Sequence, residues 1–148
     1  MTRKIIIGIV VILILVVGLA IGLPGITGNV VNENNNEEFT VPLSEVSENA
    51  KFYEYDSDGK TIRFFAVKAS DGTIKTAFDQ CDVCYRSGKG YRQEGDNMVC
   101  NNCGNKYPII GLGTENKNPG GCWPSYLPSK IEGDNVIIKK SDLDKGKS

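Results

Sequence analysis

The chain has 148 residues and no histidine, and its 17 basic and 18 acidic side chains leave a formal net charge of −1. So even a balance gives no field strong enough to gather nucleic acid. The missing histidine excludes an imidazole general base, mixed cysteine–histidine metal sites, c-type haem attachment and two-histidine iron centres.

In chain order, residues 5–23 form an unbroken run of Ile, Val, Leu, Gly and Ala. As a helix rising about 1.5 Å per residue, the run from Ile5 to Leu23 reaches across a bilayer's hydrocarbon core. We therefore read residues 1–27 as one N-terminal transmembrane anchor. The competing reading is a cleaved signal peptide with Ala20 and Gly22 near the cut, but such apolar cores run only about 7–15 residues. Arg3 and Lys4 precede the run and no basic residue follows until Lys51. The positive-inside rule then puts the N-terminus in the cytoplasm and the rest of the chain outside the cell membrane. Residues 28–40, polar and rich in asparagine, read as a tether. Residues 41–143 form the extracytoplasmic domain, and 144–148 a tail.

Within the domain, residues 43–48 suit a short helical turn with Ser44 as N-cap. KFYEY (51–55) and TIRFFAVK (61–68) read as strands joined through residues 56–60, where Gly59 tolerates positive φ. Residues 70–73 turn the chain into a third strand, IKTAFDQ (74–80), completing an antiparallel meander. From Cys81 to Trp123 the chain is rich in Gly, Asn, Pro and Cys without helical period, and reads as loops held by a staple. IEGDNVIIKK (131–140) reads as one closing strand, and residues 141–148 as a turn of helix or a frayed tail. Apart from a doubled cysteine pair we find no internal repeat. The fold class is thus a small β-rich, mainly antiparallel domain with a loop-rich four-cysteine site, behind one transmembrane helix.

Cys81 and Cys84 form C-D-V-C, Cys100 and Cys103 form C-N-N-C, and fifteen residues separate the pairs. That spacing reads as a tetrathiolate metal site: two intervening residues let a tight turn aim both sulfurs at one point while its N–H groups donate to them. Gly104 directly follows the second pair, whereas Tyr85 follows the first and glycine waits until Gly88 and Gly90, so the halves need not match. Spacing leaves zinc, mononuclear iron and an iron–sulfur cluster all open. Two disulfides with one thiol left over are the non-metal alternative. Cys122, in GGCWP, is a fifth cofactor-binding candidate, a reserve thiol or a buried small side chain. Arg86, Lys89, Arg92 and Lys106 are placed in sequence to offset thiolate charge or to sit as solvated loop charges. Tyr85, Tyr91, Tyr107, Trp123 and Tyr126 are candidates to wall off water.

Together, FDQCDVC (78–84), Gly90-Tyr91, Glu94-Gly95-Asp96, VCNNC (99–103), GGCWP (120–124) and IRFFAV (62–67) resemble the FtrD-like family of membrane iron–sulfur proteins. The resemblance implies iron rather than zinc, an iron–sulfur cluster or iron as cofactor, electron transfer as function, and a redox or iron-transport partner in the membrane. No substrate pocket or acid–base pair is evident, so an electron carrier is expected rather than an enzyme. The alternative is a zinc-stapled structural or binding module without redox activity.

Overall fold

The computed structural model describes residues 37–118 and 120–146. The expected anchor at residues 5–23 lies outside the described residues, as do tether residues 28–36; among the described residues no helix is long and apolar enough to cross a membrane.

The described residues contain nine strands in three separate antiparallel sheets of three strands each. The central sheet is the expected meander: β2 (Lys51–Ser57), β3 (Lys60–Lys68) and β4 (Ile74–Phe78). The first hairpin is tighter than the sequence reading had it, because Ser57 pairs with Lys60 and only Asp58-Gly59 make the turn. Both take positive φ, 51° and 82°, which is the two-residue turn that Asp-Gly favours.

β3 lies between its neighbours and buries both faces, which explains its run of consecutive apolar residues. On one face Ile62 and Phe64 pack with Phe78, Leu127, Ile138 and Leu143, and Phe64 stacks on Tyr53 with ring centroids 5.3 Å apart. Leu43, Val46 and Ala66 extend this layer against Val41 and Val136. On the other face Phe65 and Val67 join Ala77, Met98, Leu112 and the buried cysteines. The sulfur cluster is thereby built onto the core.

A second sheet covers the first face. Its strands are β1 (Glu38–Pro42), β9 (Asn135–Lys139) and β8 (Lys130–Glu132), in that order. β1 takes in Glu38, Phe39 and Thr40, which the sequence reading assigns to the tether. The expected single strand over 131–140 is corrected to a hairpin: Gly133-Asp134 break it, with Glu132 paired to Asn135 and Gly133 at φ 56°. The chain closes in one helical turn, α1 (Lys140–Leu143), which buries Leu143.

The larger correction concerns the segment expected to be loops. It contains a third sheet, β5 (Tyr91–Glu94), β6 (Asn97–Cys100) and β7 (Lys106–Pro108). Here Gly95-Asp96 make the same two-residue turn, with Gly95 at φ 56°. Strands this short carry too few residues to show an alternation. Ser44 is not an N-cap: it sits inside the 3-10 turn Leu43–Glu45, and Pro42 holds the cap position with no side-chain cap.

Candidate metal centre

The first cysteine pair hangs from the end of β4. Asp79 N–H donates to the Arg63 carbonyl at 2.9 Å and Ser125 N–H to the Gln80 carbonyl at 2.8 Å, so the backbone entering Cys81 is held from both sides. Cys81 is buried, and its Sγ accepts the Cys84 N–H at 3.1 Å. After Cys84 a 3-10 turn, Tyr85–Ser87, intervenes before Gly88 takes the left-handed conformation at φ 64°. That turn accounts for the delayed glycine.

The second pair stands where β6 turns toward β7. Cys100 is buried and Cys103 exposed. Gly104 N–H donates to the Cys100 carbonyl at 2.8 Å, with Gly104 at φ 76°, so the glycine turns the chain away at once. The pairs are joined through this turn: Asn101 N–H reaches the Gly90 carbonyl at 3.0 Å, and Asn102 Nδ2 lies 3.4 Å from Cys84 Sγ.

The loop carrying Cys122 folds over the first pair. Gly120 and Gly121 adopt φ 115° and 80°, Gly120 N–H donates to Asp82 Oδ2 at 2.7 Å, and the Tyr91 hydroxyl donates to the Cys122 carbonyl at 2.5 Å. Cys122 Sγ lies 3.7 Å from Cys84 Sγ. All five cysteines are free thiols. Their sulfurs fall into two groups, Cys81 with Cys84 and Cys122, and Cys84 with Cys100 and Cys103, each with every sulfur within 4.8 Å of the others. Four sulfurs about 2.3 Å from a tetrahedral ion stand roughly 3.8 Å apart, so the spacing between Cys84 and Cys122 suits a shared ion. An all-sulfur donor set of this kind fits zinc, iron and iron–sulfur groups.

Backbone donors tune the sulfurs unequally. For Cys81, burial opposes ionisation, yet the Cys84 N–H, the Tyr91 hydroxyl and the Val83 N–H together bring the thiol below its usual range. The Asn105 N–H does the same for Cys103. Burial pushes Cys100 up, and pushes Cys122 up further with the help of Cys84 and Cys103.

Of the expected aromatic wall, Tyr91, Tyr107 and Trp123 pack on the sulfur side of the core, with Tyr107 and Trp123 centroids 4.8 Å apart. The wall leaves no room at Gly111, where a Cβ would stand 2.7 Å from Trp123. Tyr85 instead lies under Arg86, and Tyr126 bridges to Ala77 beneath Lys117. Arg92 and Lys106 both engage Glu94, at 2.6 and 2.8 Å.

Two contributors escaped sequence reasoning. Asn102 is one; its place between the cysteines of the second pair is the signal that could have marked it. Asp79 is the other. It borders a cavity of about 190 Å³ together with Arg63, Cys81, Cys84, Gly90 and Cys100. Its carboxylate is fully buried, accepts the Tyr91 N–H at 2.6 Å through Oδ1, and sets Oδ2 3.0 Å from Arg63 Nη2 in an ion pair without hydrogen-bond alignment. Burial raises its pKa, against the pull of the Tyr91 N–H and Arg63.

A comparison with curated proteins finds no match for the chain. The family model described as "membrane iron-sulfur containing protein FtrD-like" matches residues 46–148, a stretch that holds all five cysteines and every strand except β1. With a sulfur-lined centre inside the matched region and the match spanning well over half its length, the chain belongs to the FtrD-like family of membrane iron–sulfur containing proteins.

Proposed function

We propose that this protein is an electron carrier, anchored in the cell membrane by residues 5–23 and working outside it, with an iron–sulfur or iron–thiolate group on Cys81, Cys84, Cys100 and Cys103 and with Cys122 as a further participant. The convergence of five sulfurs, four of them in one core layer, in an FtrD-like chain carries this reading. A group bound there supplies a one-electron couple whose potential follows burial and hydrogen bonds to sulfur. This chain's own residues set both. Cys84 N–H and Asn102 Nδ2 donate toward sulfur, and Tyr107 and Trp123 keep water from one side. Cys103 and, at the tip of the first turn, the 64% exposed Val83 bring the centre to the surface, where an electron partner can approach. A membrane redox or iron-transport protein is the partner this arrangement suits, and the carrier itself performs no acid–base chemistry on a substrate.

The second reading is a zinc-stapled module, favoured by the sulfur spacing, which suits a tetrahedral zinc edge equally well. Anaerobic purification of the full chain in detergent, with iron and sulfide analysis and visible spectra before and after dithionite, separates the two. Visible bands that bleach on reduction are the expected result. Colourless protein loaded with zinc ends the electron-carrier reading.

A further inference from the structure

We infer that the centre has two metal positions sharing the Cys84 sulfur, one completed by Cys81 and Cys122 and the other by Cys100 and Cys103. The inference rests on the reading that the sulfur cluster holds metal, and says how many ions it holds and which thiolate joins them.

The two sulfur groups overlap at Cys84 alone. A tetrahedral ion accepts four ligands, so no single ion can use all five sulfurs. Charge points the same way. Four thiolates around one divalent ion sum to about 2−, whereas five thiolates with two divalent ions sum to about 1− by formal counting. A second ion therefore eases the burden of excess anion in a part-buried site. A thiolate sulfur has lone pairs enough to bind two ions, and Cys84 is the cysteine placed to do so: it belongs to both sulfur groups, with Cys122 Sγ 3.7 Å away in one and the second pair in the other.

Cys122 is held there by contacts of its own. The Gly120 bond to Asp82 and the Tyr91 bond to the Cys122 carbonyl tie its loop to both ends of the centre. Three sulfurs leave each tetrahedral ion one ligand short, a place inorganic sulfide would take in an iron–sulfur protein.

Cadmium, a soft thiolate-binding probe, tests the inference on the unaltered full chain in detergent, stripped of metal and kept anaerobic. The thiolate absorption is expected to saturate at two equivalents, and cadmium NMR to give two resonances that both correlate with the Cys84 β-protons. Saturation at one equivalent, a single resonance, or a Cys84 correlation to only one of two resonances overturns it. Cys122→Ser and Cys103→Ser should each retain one cadmium, and Cys84→Ser should bind less than either. Equal loading of Cys122→Ser and the parent chain also overturns it. Iron-free, redox-silent protein that still takes two bridged cadmium ions would refute the electron-carrier reading and leave this one standing; a bleachable iron protein with one cadmium position would do the reverse.

Discussion

The two C-x-x-C turns share a spacing and little else. Cys81 and Cys84 follow a core strand, pass into a 3-10 turn and lie under the Cys122 loop, so neither is fully open to solvent. Cys100 and Cys103 ride a strand end, and the chain leaves at Gly104 with Cys103 exposed. Spacing fixes the donation of backbone N–H to sulfur, which both turns achieve. The elements on either side fix access to water. The first turn is therefore covered at both cysteines, whereas the second runs from the core at Cys100 to an outlet at Cys103.

The largest expected effect comes from cutting the buried cysteine of the second turn. Cys100→Ser should empty the metal position it shares with Cys103 and destabilise the domain by more than about 3 kcal/mol, since for a small metal domain binding energy is folding energy. Metal analysis and thermal melting read both. Cys103→Ser should lose the same ion and keep the other, with a clearly smaller fall in melting temperature; equal falls would erase the contrast between core and outlet.

Next comes Gly90→Ala. A Cβ there would stand 2.6 Å from Asp79 Cγ at φ 61°, and the clash with the left-handed backbone should cost about 2 to 3 kcal/mol in denaturant melts. An unaffected midpoint would show that Asp79 does not brace the first turn.

Asn102→Ala sharpens the electrostatic side of the comparison. Losing a donor to Cys84 sulfur disfavours the more negative reduced state, so the potential should fall. A bond worth about 1 kcal/mol corresponds to roughly 40 mV for one electron, measurable by spectroelectrochemistry. An upward shift would contradict the donor role.

The last contrast, in the rate of metal loss, separates the two Gly-Asp turns. Gly95→Ala and Gly133→Ala each place a Cβ at φ 56° and should each cost about 1 to 2 kcal/mol. Only Gly95→Ala should also speed metal loss to a chelator, because its hairpin carries Cys100.

Those turns also show where sequence legibility ended. The meander was readable because β2 and β3 are long enough to show alternation or a sustained apolar run, and Asp58-Gly59 names its own turn. The cysteine pairs were readable because their geometry is local. β5 to β9 are strands of three to five residues, below the length at which a period emerges. The tetrapeptide Glu-Gly-Asp-Asn occurs at 94–97 and again at 132–135, each time closing a hairpin across its outer residues. That repeat marks both hairpins. Cys122 was ambiguous for a different reason: its position depends on Tyr91 and Asp82, 31 and 38 residues away from their bonding partners in that loop. Nothing local encodes such closure. Of the basic residues near the pairs, Arg92 and Lys106 both pair with Glu94 at the surface.

The three sheets share no strand. The β5–β7 sheet meets the central one through side chains, including Gln93 Oε1 accepting the Ala50 N–H at 2.6 Å and Met98 packed in the layer of Phe65, and through the sulfur cluster. Without a continuous backbone ladder, the domain is jointed, and stripping the metal should let deuterium into β5–β7 amides as one block while β3 stays protected.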